Sequence, residues 1–276
     1  MPQAVSDVIQ HLSDLPPFPK VTTKLLLVLE DPAVSIDQLA ALISSDPSLV
    51  VKVIHLSNSP FYMVSRPIAS VTEAVFVLGI NTIKSITTAV SIQKGISTLK
   101  PHPGSFSMDA FWRHSYATAI VASKLGARRN KQLSDKLYLA GLVHDVGKII
   151  QACFWPETWK SAINYLLMEG GTLESVEQRL FGECHAEIAA TLCRNWRFPT
   201  DVVSLLGRPD DDVDEDQEVT AGRELLELAN SLASASGFAF PPEEQRDGQD
   251  SAFAPYADLM ANLADEVHYQ LDILER

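Results

Sequence analysis

A histidine and an aspartate stand side by side in "AGLVHDVGKII", residues 140–150. Imidazole nitrogen and carboxylate oxygen are both ligands for zinc, iron or manganese. His144 and Asp145 supply two ligands, whereas a catalytic zinc usually has three and keeps an open position. Two more histidines extend the set: His114 in "FWRHSYATA" and His185 in "GECHAEIAA", each among small residues. Lys148 lies one turn after His144, where its ammonium could meet a phosphate oxygen. Its other use is an i,i+3 pair with Asp145. Asp145 can also accept a hydrogen bond from His114 or His144, and such a buried polar cluster would join two helices without a metal.

The elements that must position these residues read as helices. Apolar residues recur mostly at spacings of three and four, and strand alternation is scarce. Ser35 with Gln38 and Ser70 with Glu73 are capping-box pairs, Asp46 precedes a Pro at a first helical position, and Asn81 can cap the helix after Gly79. The pattern predicts helices near 3–13, 20–30, 35–44, 47–57, 70–78 and 81–98. After the Pro- and Gly-bearing break "KPHPGS", residues 100–105, it predicts 108–127, 134–150, 157–169, 173–181, 183–195, 200–206, 218–235 and 256–274. His144 and Asp145 thus fall on one predicted helix, 134–150. The fold expected is all-α, with a helical lobe over residues 1–105 and a second over 106–276. Leu259, Leu263, Val267, Leu271 and Leu274 form one stripe, that of a terminal helix docked on the body. The run 237–250 is a Pro-rich polar loop.

Composition narrows the function classes. The net charge of −13 repels phosphate backbones, which argues against nucleic-acid binding. Seven carboxylates crowd residues 209–218 and read as a solvated loop without the Gly and Glu of a calcium-binding hand. No apolar run reaches the ~18 residues of a membrane span, and the N-terminus lacks the basic and apolar regions of a signal peptide. Three cysteines without a CxxC suggest buried thiols and a reduced, cytoplasmic setting. Trp112, Trp155, Trp159 and Trp196 read as core packing. No Gly-rich phosphate loop, serine nucleophile elbow or HExxH motif is visible.

The order of motifs resembles a known family. A His, then His–Asp in "GLVHDVGK", is similar to the HD superfamily of metal-dependent phosphohydrolases. Upstream, "LPPFPKVTTKLLLVLEDP", "LAALISSDPSLVVKVIHLSNSPFY" and "ASVTEAVFVLGINTIKSI" resemble the first half of HDOD, the HD-related output domain. "FWRHS", "AGLVHDVGKII", "GECHAEIAATLCRNWRFPTDVV" and "LLELANSLA" resemble its second half, so the likeness spans about residues 15–235. It implies two helical lobes and a role as a bacterial signalling output module, generally without an established hydrolase activity. It also implies His114, His144 and Asp145 as metal-site positions, His185 and Asn230 as further ones, and Lys148 with Asp145 as the catalytic pair of any active form.

Two departures set the functional expectation. The distal carboxylate of catalytic HD enzymes falls by position on Asn230, whose neutral amide is a poor substitute at a cation. Where the cyclic-dinucleotide phosphodiesterase branch carries a His pair and Gly-Tyr-Pro, this chain reads "GRPDDD". The reading is therefore a stand-alone signalling module that contacts partner proteins, with no cofactor and a vestigial metal site. The alternative is a phosphohydrolase with a reduced site holding a single Fe, Mn or Zn ion and acting on a nucleotide or phosphoester.

Overall fold

Short polar side chains start several of the helices. Ser35 accepts from the Gln38 amide while the Gln38 side chain accepts from the Ser35 amide, the reciprocal box expected, and α1 (Ile36–Ser44) follows. Asp46 caps α2 (Pro47–Ser57), with Pro47 at the first position. At α3 (Val71–Leu78) Ser70 accepts from the Glu73 amide, but the Glu73 carboxylate turns to Arg66 at 2.6 Å, so only half of that box forms. α4 (Ile80–Ile96) starts directly after Gly79 without a side-chain cap, and Asn81, expected to be that cap, lies inside the first turn.

This computed structural model describes residues 24, 28, 34–58, 64–97, 99–207, 216–242 and 251–275. The helices expected at 3–13 and over most of 20–30, most of the acidic run 209–218, and the end of the polar loop 237–250 lie outside them. Every regular element among the described residues is helical, as the spacing predicts. No helix among them is long and apolar enough to cross a membrane. Contacts group the described residues of Pro17–Ser97 and His268–Arg276 into one unit and those of Thr98–Val267 into another. The sequence reading places its boundary at 105.

In the first unit Leu39, Ile43, Leu49, Val53, Leu56, Val75 and Ile83 are buried. Asn58 ends α2, and its amide exchanges hydrogen bonds with the Ile68 backbone in both directions at 2.7 and 2.8 Å.

The second unit carries the candidate site. Its spine is α5 (Met108–Ala127) against α6 (Lys131–Val143). Small residues bring the two backbones together: a Cβ on Gly141 would lie 2.7 Å from Ala119 Cα, and one on Gly126 2.8 Å from Ser134 Cα. Around this spine lie α7 (Val146–Phe154), α8 (Pro156–Glu169), α9 (Leu173–Leu180), α10 (His185–Asn195), the short α11 (Thr200–Val203) and α12 (Gln217–Ala233). α12 runs into a π-helical turn, Ser234–Phe238, and a 3-10 turn, Ser251–Tyr256, precedes α13 (Ala257–Met260) and α14 (Leu263–Glu275).

Three expectations need correction. The helix expected over 134–150 is two, α6 and α7, broken at His144–Asp145. Asp145 has φ −97° and ψ 4°, outside the helical range. The apolar spacing runs on through the break, so periodicity could not show it. The helix expected over 200–206 ends at Val203 and continues as turns. The terminal helix is divided at residues 261–262. Leu259, Leu263, Val267 and Leu271 of its stripe are buried, and Lys124–Glu266 and Arg128–Asp258 ion pairs tie this region to α5. All four tryptophans are buried, as are Cys184 and Cys193, while Cys153 is half-buried.

Gly141→Ala tests the spine. An added methyl here meets backbone that cannot turn aside, so the variant is expected to lose ~1–3 kcal/mol of stability by urea unfolding, as overpacked cores do.

Candidate functional site

Asp145 is fully buried, and four nitrogens converge on its carboxylate. Lys148 Nζ is 2.9 Å and His114 Nε2 3.1 Å from Oδ2; His144 Nε2 and His185 Nε2 are each 3.3 Å from Oδ1. They arrive from different elements. His114 comes from α5, His144 and Asp145 from the α6–α7 break, Lys148 from the first turn of α7, and His185 from the first position of α10. The break turns the adjacent His144 and Asp145 side chains toward one point, which an uninterrupted helix would hold about 100° apart. α10 reaches Asp145 because its start lies directly on Gly147: a Cβ there would lie 2.0 Å from the His185 carbonyl oxygen.

Each imidazole is held from outside by its other nitrogen. His114 Nδ1 is 2.6 Å from Phe238 O, His144 Nδ1 is 2.7 Å from Gly141 O, and His185 Nδ1 is 2.6 Å from Glu177 Oε2. All three partners are acceptors, so each Nδ1 carries its hydrogen and each Nε2 faces inward. His114 Nε2 and His144 Nε2 are 3.2 Å apart. With both Nδ1 hydrogens directed outward, the two Nε2 atoms face each other across that contact. Glu177 also accepts the His185 backbone amide at 2.9 Å, placing a carboxylate on the N-terminus of α10.

Electrostatics divides the groups. Burial pushes His144 down to about 3, against the pull of Asp145. His185 moves the other way: burial opposes its charge, but the Glu177 carboxylate outweighs that and raises it to about 9. Burial alone would raise Asp145, yet His144, Lys148 and His114 hold it well below the usual carboxylate range. Burial would likewise raise Glu174, and His185 and Lys148 contribute to keeping it below its ordinary value.

Among the described residues, His114, His144 and Asp145 form the group whose ligand atoms all lie within 4.8 Å of one another. Their types suit iron, manganese or zinc. Their charge does not fit a divalent ion as they stand. The single carboxylate is already paired with Lys148, and His185, cationic at neutral pH, borders its other oxygen. Lys148 is 1% exposed, and its ammonium also donates to Phe240 O at 2.7 Å. Asn230 faces the same cleft as His144. The cleft, of about 360 Å³, is also lined by Glu174, His185, Arg223 and Glu227.

The sequence reading therefore named the residues around Asp145 but missed their anchors. Glu177 lies on α9 with no motif to mark it, and the Phe238 and Phe240 carbonyls are backbone groups. Gly237, at φ +91°, is the one local sign that the chain turns sharply there.

The family model for the HDOD domain matches residues 15–211, and the chain belongs to this family. A Geobacter sulfurreducens HDOD domain protein is 26% identical, with a TM-score of 0.74 over 96% of this chain and 87% of that one. A Marinobacter aquaeolei VT8 protein named for signal transduction is 23% identical (TM-score 0.74, 100% of this chain and 62% of that one). A Shewanella amazonensis SB2B protein named as a phosphohydrolase is 21% identical (TM-score 0.70, 97% of each). At these two identities the likeness concerns the fold. A Treponema pallidum (strain Nichols) protein is 23% identical over 203 residues, 73% of this chain but 38% of that protein's length.

The two perturbed histidines give stability a maximum in pH. His185 is raised when folded, so its contribution is complete below about pH 6.5 and is lost as pH rises toward 9. His144 is depressed, so the unfolded chain takes up the proton first, and stability falls as pH drops from about 6.5 toward 3. Urea unfolding across this range is expected to peak near pH 6.5. Glu177→Gln is expected to flatten the alkaline limb, which the His185 shift makes worth up to ~3 kcal/mol.

Proposed function

We propose that this HDOD chain is a signalling module that works by contacting other proteins and does not hydrolyse phosphoesters. The observation behind this reading is the position of Lys148. In a phosphohydrolase this lysine would be a phosphate partner. Here its ammonium is buried on Asp145 Oδ2 and Phe240 O, away from any ligand in the cleft. Asn230 supports the same reading, because the position expected to complete an anionic metal site carries a neutral amide. Clamping a phosphoryl group takes two ions and their carboxylates, and this donor set offers one carboxylate, already paired. The partners are signalling proteins, and a reduced cytoplasmic setting suits the three free thiols.

A second reading, a phosphohydrolase with a single Fe, Mn or Zn ion, has one observation in its favour. His114, His144 and Asp145 are spaced as a ligand group, and His144 reaches the cleft. That reading needs Lys148 to leave Asp145 first.

Assays with cyclic dinucleotides and nucleoside phosphates, with and without manganese or iron, separate the two. No turnover is expected. A rate that vanishes in Asp145→Asn, in protein shown to remain folded by circular dichroism, would establish the enzyme instead. Crosslinking in the source cells is expected to recover a defined protein partner.

A further inference from the structure

We infer that the Lys148 ammonium is the resident cation of the His114–His144–Asp145 cluster, and that it keeps divalent metal ions out. The inference rests on the signalling reading above and deepens it by naming the group that shuts the site.

A fully buried carboxylate needs a compensating charge inside the protein. Among the nitrogens on Asp145, Lys148 Nζ is the nearest, at 2.9 Å. Its placement is built in: the lysine is 1% exposed, sits one turn along α7 from the aspartate, and is pinned by the Phe240 carbonyl at 2.7 Å. Phe240 is itself fixed by its ring, which packs edge-on against Phe106 and Phe111 at 4.8 and 5.8 Å between centroids. The ammonium is thus seated between Asp145 Oδ2 and Phe240 O.

The second oxygen of Asp145 faces His185, whose ring lies between Asp145 and Glu177. A divalent ion among His114, His144 and Asp145 would share its one carboxylate with the Lys148 ammonium on Oδ2, while His185 Nε2 lies against Oδ1. Because these groups are buried, the repulsion is weakly screened. A second carboxylate could offset it, but residue 230, which lines the cleft with His144, is Asn. The same donor geometry that suits a metal is thus closed to it by charge.

The test is metal affinity, read without any activity assay. Full-length protein is dialysed free of metal and titrated with Mn²⁺ and Zn²⁺ by calorimetry, with bound metal counted by mass spectrometry and melting followed with and without each ion. The wild type is expected to bind well under one equivalent and to melt at the same temperature in either ion or in chelator. Lys148→Met removes the ammonium at similar length and is expected to gain at least roughly tenfold in affinity. Its melting temperature is expected to be lowered without metal and raised by it. Because Lys148→Met could fold poorly alone, Lys148→Gln, which can still donate to Phe240 O, and Lys148→Met with Asn230→Asp are measured beside it. The double variant is expected to bind most tightly. Stoichiometric uptake by the wild type with Lys148 in place overturns the inference, and so does unchanged affinity in all three variants. Unchanged affinity in the variants leaves the signalling reading, which fails on turnover, where it stands; stoichiometric uptake by the wild type would in addition favour the single-ion phosphohydrolase reading.

Discussion

A carboxylate without solvent exposure, Asp145, has to be neutralised by the protein itself, and its half of the fold is arranged around that requirement. An unpaired buried charge is among the costliest features a core can contain. Here compensation comes from α5, α7 and α10 together, so those helices cannot shift independently without exposing the charge. Buried ion pairs contribute little net stability compared with apolar packing of the same shape, because desolvation consumes the attraction. Their effect is on arrangement. Glycines at 126, 141 and 147 let backbones approach where a side chain would intervene, and the polar cluster then sets which residues face one another.

Direction is the second layer. The three imidazoles are oriented by Nδ1 contacts to Phe238 O, Gly141 O and Glu177 Oε2, which leave every Nε2 turned inward. Outer partners of this kind fix tautomer and ring angle in metal sites, and they do the same where the central positive charge is an ammonium. The segment after α12 does double service, since Phe238 holds His114 and Phe240 holds Lys148 through carbonyls. A backbone oxygen can be aimed only by shaping the chain, which is the use of the π-helical turn and of Gly237 at positive φ.

Much of this was readable from the residues. Apolar spacing and cap chemistry placed α1, α2 and α5 to within a residue, because those signals are local. The His, His–Asp, Lys and later His were recognisable by type and order, and the structure brings them together on Asp145. The break at His144–Asp145 was hidden because Leu142, Val143, Val146, Ile149 and Ile150 continue one helical stripe across it. Beside the interruption the start of α10 lies directly on Gly147, a contact more than thirty residues distant in sequence that local spacing does not reveal. Glu177 was hidden for a similar reason: an acidic residue on a short amphipathic helix looks solvated until the His185 ring and amide are placed against it. Asn230 was identified as a departure, but its place in the cleft wall beside His144 and His185 needed coordinates.

The departure at 230 and the pairing at 148 are connected through charge. With two carboxylates facing the histidines, one ammonium would leave an anion uncompensated, and a divalent ion would be the natural complement. With Asp145 as the sole carboxylate of the triad, the Lys148 ammonium pairs with it and has a second acceptor in Phe240 O. The outer carboxylates follow the same logic. Glu177 takes the His185 charge, and Glu174, held in its ionised form partly by His185 and Lys148, borders the cleft. The cluster thus brings ligand-type atoms within 4.8 Å of one another while Lys148 supplies the positive charge beside its carboxylate.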